Sequence, residues 1–181
     1  MKIALIGTTG FVGKHVLTEL VNRGHQVTAI CRHPATLDIV SSLIKPVQGD
    51  VSDADTVAKL VEGHDAVISA FNAGWTNPNL YNDFMAGSEA IEKGIKQTSV
   101  KRLLVVGGAG SLEIAPGLAL IDTPTFPEAY KPGASAARDY LNLLKQNTQL
   151  DWTFLSPAIE MGPHNSGKRT GRYRTGLNNP V

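Results

Sequence analysis

Three glycines at regular spacing are the residues of this chain with the clearest chemical meaning. Gly7, Gly10 and Gly13 lie in "KIALIGTTGFVGKHVLTEL", between a short apolar segment and an amphipathic one. In a strand-to-helix junction, Gly7 allows the turn, Gly10 lets a ligand approach the backbone, and Gly13 lets the helix pack close to the sheet. The free amides at the helix start would then face a diphosphate. The alternative is a tight turn with no ligand.

The rest of the chain supplies the strands and helices that such a junction needs. Short apolar, β-branched runs alternate with longer segments of helical period, which predicts an α/β fold with a parallel sheet and right-handed crossovers. The predicted strands are Ile3–Ile6, Val27–Cys31, Lys45–Gln48, Ala66–Ser69, Arg102–Val106 and Trp152–Leu155. The predicted helices are Phe11–Val21, a helix capped by Asp53 and ended by Gly63, Tyr81–Gln97 and Ala134–Lys145.

Two regions depart from this alternation. Ser111–Gly133 holds four prolines and is expected to be an ordered excursion over the sheet. The tail from Gly162, rich in Gly, Arg and Asn, is expected to be a loop without a closing helix. We therefore predict a single domain over residues 1–181, with 157–181 as a loop region on the substrate side.

Composition limits the classes of function. The chain has 181 residues, 42% of them hydrophobic and 18% charged, as in ordinary globular domains. A net charge of +1 and the absence of long apolar runs argue against nucleic-acid and membrane partners. The one cysteine, Cys31, forms no internal disulfide and predicts a reducing, cytoplasmic location. The five histidines lack metal-ligand spacing, so no metal is expected.

The glycine spacing, G-x-x-G-x-x-G, resembles the extended and atypical branches of the short-chain dehydrogenase/reductase superfamily. The resemblance covers the whole chain, and it implies a doubly wound parallel sheet (Rossmann fold) of order 3-2-1-4-5-6 with helices on both faces. Further matching segments are "GDV" (Gly49–Val51), "VISAFNAG" (Val67–Gly74), "VVGGAGSL" (Val105–Leu112) and "DWTFLSPA" (Asp151–Ala158). "RTGRYRTG" (Arg169–Gly176) resembles a smaller group described as NADH-flavin reductases or NAD-dependent epimerase/dehydratase-like proteins. Relatives generally continue past that segment with another strand and helix, so a truncated chain is one expectation.

The resemblance assigns a dinucleotide site to the strand ends. NAD-selective sites carry an acid after the second strand, but this chain has Arg32 and His33 there, which favours the 2′-phosphate of NADP(H). An exposed arginine without a ligand is the alternative. The implied cofactor-binding residues are Gly7, Thr8, Thr9, Gly10, Phe11, Val12, Gly13, Arg32, His33, Asp50, Val51, Ala70, Phe71, Asn72, Ser156 and Pro157. Asp50 as a turn residue and Phe71 as core are equally open.

The catalytic residues of the superfamily are only partly matched. Its Tyr-x-x-x-Lys pair is missing, because Tyr130 is followed four residues on by Ala134, and Tyr140 by Leu144. Ser111 matches the serine position approximately and Lys131 lies near the tyrosine position; both are candidates, with a loop hydroxyl and a surface lysine as alternatives. A planar acceptor could instead be walled by Trp75, Tyr81, Phe84 and Met85, unless these aromatic and sulfur side chains form core.

These observations lead to a reductase hypothesis with two alternatives. The first is an NAD(P)H-dependent oxidoreductase that passes hydride to a small planar acceptor, flavin- or quinone-like, since such an acceptor needs little help with protons. The second is a non-catalytic NAD(P)H sensor. The third, an NAD-dependent epimerase or dehydratase, is disfavoured by the short chain. A small-molecule acceptor is the expected partner, and a homo-oligomer stays open.

Overall fold

Strands and helices alternate through most of the chain in a computed structural model that describes residues 1–165 and 169–181. Within these residues the α-helices are α1 (Phe11–Asn22), α2 (Ala54–Val61), α3 (Leu80–Lys96) and α4 (Lys131–Leu144). The strands are β1 (Lys2–Ile6), β2 (Gln26–Cys31), β3 (Ile44–Gln48), β4 (Ala66–Ser69), β5 (Arg102–Val106), β6 (Glu113–Ala115), β7 (Leu118–Ala119) and β8 (Asp151–Leu155). The six strands predicted from sequence are therefore present, each within one residue of its expected bounds.

The main sheet is parallel and has the order β3-β2-β1-β4-β5-β8. This confirms the predicted order 3-2-1-4-5-6, with the sixth position taken by β8 because a short hairpin precedes it. The strand order reverses between β1 and β4, where Ile3 pairs with Ala66 and Ile6 with Ser69. In doubly wound sheets the crevice at this reversal, at the carboxyl ends of the strands, is where ligands bind.

Helices cover both faces of the sheet, as predicted, but unequally. Ala4 and Ile6 of β1 belong to the larger core cluster, which α2, α3 and α4 complete with residues such as Ile95 and Leu144. Leu5 points to the opposite face and packs with Leu17 of α1. The alternation along β1 follows from the two-residue period of a strand. All of these side chains are almost fully buried.

Two helix starts show how local sequence sets the element bounds. The Asp53 carboxylate accepts a hydrogen bond of 2.8 Å from the Thr56 amide, so the predicted cap of α2 is confirmed. The predicted start of α4 at Ala134 is wrong by one turn, because the helix begins at Lys131. Pro132 lies in that first turn, where its missing N–H costs nothing.

The proline-rich segment Ser111–Gly133 is ordered, as expected. It contains the antiparallel hairpin of β6 and β7, with Gly117 at φ +74 between the two strands. Single 3₁₀ turns at Leu120–Asp122 and Glu128–Tyr130 follow and pack against α4. The segment thus links the end of β5 to the start of α4.

The described part of the tail, residues 169–181, contains no helix or strand. Arg169 donates to the Glu19 carboxylate of α1 at 3.0 Å, and the Glu113 amide of β6 donates to the Asn178 carbonyl at 2.8 Å. The predicted substrate-side loop, 157–181, includes residues 166–168, which lie outside the described residues. Throughout the described chain, no helix combines the length and apolarity that a membrane span would require.

Tyr140 is a buried residue whose hydroxyl lacks a hydrogen-bond partner among the described residues. The residue is 1% exposed, and its hydroxyl is the one buried side-chain polar atom without a hydrogen-bond partner in the described structure. Burial raises the pKa of this phenol well above its usual value, and the nearby Glu92 and Glu89 carboxylates raise it further. The Glu92 carboxylate lies near this hydroxyl but bonds Lys96 and Asn147 instead, so no hydrogen bond of normal geometry in the described structure offsets the cost of desolvating the hydroxyl.

We predict that Tyr140→Phe leaves the protein at least as stable as the wild type, by up to about 1 kcal/mol, because it removes an unpaired buried hydroxyl and keeps the ring. Urea denaturation measures the difference. Tyr140→Leu, which also removes the hydroxyl but loses ring volume, should destabilise by about 1–3 kcal/mol. A clear loss of stability in Tyr140→Phe would show that the hydroxyl is bonded in solution.

Candidate functional site

The turn between β1 and α1 is built from backbone contacts that leave no space for side chains. Gly7 has φ +81, and a Cβ placed on it would lie 2.4 Å from the Ala70 carbonyl oxygen at the end of β4. A Cβ on Gly13 would lie 2.0 Å from the Gly7 carbonyl oxygen. At Gly10, by contrast, the nearest atom would be 3.4 Å away, so this position opens to the outside of the loop. Gly7 and Gly13 are therefore required by backbone packing, whereas Gly10 borders open space.

The first turn of α1 carries amides that fit an anion. Gly10 is the N-cap and no side chain caps the helix. The Lys14 amide bonds the Gly10 carbonyl at 3.0 Å, whereas the amides of Phe11, Val12 and Gly13 find no acceptor among the described residues. Such amides, with the positive end of the helix dipole, are the usual ligands of a diphosphate. The residues present therefore fit the dinucleotide that the sequence implies.

The other residues of the predicted loop differ in their exposure. Thr8 is fully buried, and its hydroxyl lies 3.5 Å from the Ile30 carbonyl oxygen of β2. Thr9 is exposed, and the Phe11 ring meets the His15 ring edge to face at 5.1 Å. The Thr8 side chain thus belongs to the packing of the loop on the sheet, while its backbone remains part of the predicted cradle.

Two basic residues follow the end of β2. Arg32 and His33 are both exposed there. Asp38, in the segment that follows, accepts a hydrogen bond of 3.0 Å from Lys14 of α1, and this bond lowers the pKa of the Asp38 carboxyl. The nearest downstream acid is therefore already paired with a lysine. Nothing in this arrangement opposes the binding of a phosphate by Arg32, and that role stays a prediction.

The ends of β3 and β4 place the next predicted residues. Asp50 is exposed and its carboxylate accepts the Ser52 amide at 3.0 Å, as a turn residue does, while Val51 is buried in the core. Ala70 is half-buried beside the glycine loop. Phe71 stacks on Phe84 with ring centroids 5.9 Å apart, so at least part of its ring is core.

The loop after β4 carries an exposed tryptophan. Asn72 is exposed, and its side-chain oxygen accepts the Gly74 amide at 2.7 Å. Gly74 itself has φ +104, a conformation that favours glycine. The next residue, Trp75, is 61% exposed. The loop therefore leaves most of a large ring exposed instead of burying it in the core.

Small residues bring the end of β5 against the start of α4. A Cβ on Gly110 would lie 3.1 Å from the Ala134 side chain, so this loop and the helix are in close contact. Ser111 is half-buried, with its hydroxyl 3.5 Å from the Gly108 carbonyl oxygen. Lys131 opens α4 and pairs with the exposed carboxylate of Glu128. The two candidate catalytic residues thus belong to neighbouring segments, and their roles stay predictions.

The end of β8 contributes the last predicted positions. Ser156 and Pro157 are half-buried where the chain leaves the sheet. β8 pairs with β5 through Val106 and Leu155, so these positions follow directly on the same sheet edge as Gly107. The predicted cofactor residues consequently share the carboxyl edge of one parallel sheet.

The proposed wall of Trp75, Tyr81, Phe84 and Met85 does not form as one surface. Phe84 is buried and Met85 packs on the core, so the core alternative holds for both. The Tyr81 hydroxyl donates to Asp139 of α4 at 2.8 Å, and this bond raises the pKa of the Tyr81 phenol. Trp75 instead meets Tyr130, with centroids 5.7 Å apart and planes at 85°. In the sequence, the only sign of this partner is that Tyr130 is an aromatic residue in a proline-rich segment.

Comparison with known proteins agrees with this geometry. The model of a family described as NAD(P)H-binding matches residues 7–179, and the chain belongs to that family. The crystal structure of a proposed epimerase from Bacteroides thetaiotaomicron is 45% identical, with a TM-score of 0.90, and the match covers 99% of this chain and 80% of that one. The family and the site together define an NAD(P)-binding protein of the atypical short-chain dehydrogenase/reductase type.

Two further crystal structures are similar over the full length of this chain. A proposed NADH-flavin reductase from Streptococcus pneumoniae TIGR4 is 38% identical with a TM-score of 0.85, and 82% of that chain is covered. A proposed exported protein from Burkholderia pseudomallei is 40% identical with a TM-score of 0.85, again with 82% covered. These relatives confirm the fold and the resemblance, whereas the cytoplasmic location stays a prediction.

We predict that Gly10→Ala and Gly13→Ala separate binding from folding. Gly13→Ala should lose about 2 kcal/mol or more of stability, because its Cβ meets the Gly7 backbone. Gly10→Ala should fold normally but bind NADPH about tenfold or more weakly, because its Cβ occupies the space that a phosphate needs. Denaturation and calorimetry measure the two effects. Unchanged NADPH affinity in Gly10→Ala would place the dinucleotide elsewhere.

We predict that Arg32→Ala weakens NADPH binding about tenfold and leaves NADH binding within about twofold, because only NADPH offers a 2′-phosphate to the guanidinium. Calorimetric titration with both nucleotides measures the preference. Arg23→Ala, at the other end of α1, removes the same charge and should leave both affinities unchanged. If the preference survives in Arg32→Ala, this residue does not select the cofactor.

Proposed function

We propose that the protein is an NAD(P)H-dependent reductase that prefers NADPH and transfers hydride to a small planar acceptor, flavin-like or quinone-like. One combination carries the proposal. Backbone amides suited to a dinucleotide lie at the carboxyl edge of the sheet, and α4, the helix that would carry the superfamily's Tyr-x-x-x-Lys pair, lacks it. The cradle is formed by the free amides at the start of α1. The missing pair follows from the sequence, in which no tyrosine is followed four residues on by lysine.

Neither tyrosine in or next to α4 is placed to donate a proton to a substrate. Tyr140 is buried in the core and its neighbour one turn on is the buried Leu144. Tyr130 precedes the helix, and the residue one turn on is Ala134. Because a lysine near the tyrosine is what lowers the phenol pKa for catalysis, neither tyrosine is set up as an acid. Reduction of a simple ketone, which creates an alkoxide, is therefore disfavoured.

Planar conjugated acceptors avoid that requirement. Reduced nicotinamide supplies hydride, that is, two electrons and one proton, and it is left oxidised. A flavin or quinone spreads the resulting negative charge over its ring system and then takes one proton from water. What the protein must supply is position and exclusion of water at the carboxyl edge. Backbone amides and half-buried Ala70, Ser156 and Pro157 are suited to that task.

Related proteins support this choice without deciding it. The similar Streptococcus pneumoniae protein is a proposed NADH-flavin reductase. The similar Bacteroides thetaiotaomicron protein is a proposed epimerase, which keeps epimerisation as an alternative for this chain. A non-catalytic NAD(P)H sensor would use the same cradle. The reaction class is tested directly by turnover, and binding without turnover would favour the sensor.

We predict that stopped-flow mixing of NADPH with the protein and FMN or menadione shows NADPH oxidation at 340 nm, an absorption band of reduced nicotinamide, well above the rate without protein. Ser111→Ala and Lys131→Ala should lower kcat by less than about tenfold, since an essential general acid contributes about 10²–10⁴.

Two results would contradict the proposal. The absence of turnover with a broad panel of flavins and quinones, despite tight NADPH binding, would remove the reductase function. A fall in kcat of more than about a hundredfold in Ser111→Ala would show that proton transfer is part of the reaction after all. Lys145→Ala, at the far end of α4, is the matched control for Lys131→Ala.

A further inference from the structure

We infer that Trp75 and Tyr130 together form the surface on which the acceptor ring stacks, an inference that rests on the proposed reductase function and names the acceptor side of its site. The two rings meet edge to face, with centroids 5.7 Å apart and planes at 85°. Trp75 is 61% exposed and Tyr130 is 51% exposed. In an edge-to-face pair at least one ring face is not covered by the partner, and that face can stack a planar molecule.

The Trp75 ring is positioned by its neighbours rather than lying loosely on the surface. A Cβ on Gly133, in the first turn of α4, would lie 2.9 Å from Cζ3 of Trp75 and 3.2 Å from the Leu80 side chain. The indole therefore rests on a glycine that leaves space for it. The loop before it is fixed by the hydrogen bond from the Gly74 amide to Asn72. A large ring that is held in place while most of its area faces solvent is typical of a binding surface.

The pair belongs to chain segments that are connected to the predicted cofactor site. Trp75 follows Asn72, one of the cofactor-binding residues that the resemblance implies, by three positions, on the loop that begins at Ala70. The Ala70 carbonyl is in direct contact with Gly7 of the cradle. Tyr130 occupies the residue position directly before α4, without a capping hydrogen bond from its side chain. One turn into this helix, Ala134 packs against Gly110 in the loop that leads to Ser111. The two rings thus belong to the segments that follow β4 and β5, and both segments leave the carboxyl edge of the sheet.

This arrangement selects acceptors by shape. Fused, electron-poor rings such as an isoalloxazine or a naphthoquinone stack well on indole and phenol faces, and the corner between two nearly perpendicular rings also contacts the ring edge. An aliphatic aldehyde or ketone gains little from such a surface. We therefore expect the acceptors of this protein to have at least two fused rings, and we expect benzoquinone-sized acceptors to bind more weakly than menadione.

The two tryptophans of the chain allow a direct test. Trp152→Phe leaves Trp75 as the single tryptophan, and Trp75→Phe leaves Trp152, whose ring is half-buried against the core. Titration with FMN or menadione, in the presence of saturating NADP⁺, should quench the emission of Trp152→Phe and leave that of Trp75→Phe nearly unchanged. The same titrations yield the Kd of each acceptor, and they require no turnover.

Kinetics provide the second measurement. Trp75→Ala should raise the acceptor KM about tenfold, the size of a typical loss of one stacking contact, with the NADPH Kd within about twofold of wild type. Gly133→Ala keeps both rings and improves helix propensity, yet it should also raise the acceptor KM because its Cβ displaces the indole. Trp152→Phe is the control and should leave the acceptor KM unchanged.

The outcomes separate this inference from the reductase function. If NADPH is oxidised but Trp75→Ala and Gly133→Ala keep the wild-type acceptor KM, the aromatic pair is not the acceptor surface and the reductase function stands. If no acceptor is reduced, the reductase function fails and the quenching titration decides the inference alone. In that case quenching of Trp75 by FMN or menadione, lost in Gly133→Ala, upholds a ring-binding surface. No quenching in Trp152→Phe overturns it.

Discussion

The contact between the backbones of Gly7, Gly13 and Ala70 is the constraint on which the rest of the structure depends. Because a Cβ at Gly13 would lie 2.0 Å from the Gly7 carbonyl oxygen, only glycine lets α1 begin this close to β1. The first amides of α1 have no acceptors in the described chain, because a helix start lacks intrahelical partners and no side chain caps this one. The packing requirement falls on Gly7 and Gly13, and it places the start of α1, with its free amides, at the carboxyl edge of the sheet.

The sheet extends this arrangement to the other ends of its strands. Since all main-sheet strands are parallel, the residues that follow β1, β2, β4, β5 and β8 emerge at one edge. Many of the residues there are small: Gly107, Gly108 and Gly110 follow β5, and Ala70 follows β4. They allow close approach of segments and offer backbone groups, while few reactive side chains are present. Such an edge is suited to position a cofactor that carries its own chemistry.

Much of this architecture was predictable from the sequence, for a physical reason. Strands buried on both faces must be continuously apolar, and the glycine motif has one structural context in which all three positions make sense. The β3 strand is interrupted by Lys45 and Pro46, and it forms because it lies at the edge of the sheet, where proline is tolerated. The start of α4 was missed by one turn, since Pro132 suggests a break although it is favourable in the first turn of a helix.

The proposed acceptor side was not predictable in the same way. The hairpin of β6 and β7 and the 3₁₀ turns after it lack a period that sequence analysis detects, and they determine where Tyr130 lies. The pairing of Trp75 with Tyr130 joins residues 55 positions apart through a contact with Gly133, which neither local propensity nor alternation encodes. A dinucleotide loop depends on local backbone geometry, so it can be recognised from a sequence motif. A surface made by distant side chains depends on the tertiary fold, and no local motif predicts it. In this chain, the residues proposed to contact the acceptor are therefore the ones for which the structure adds most to the sequence.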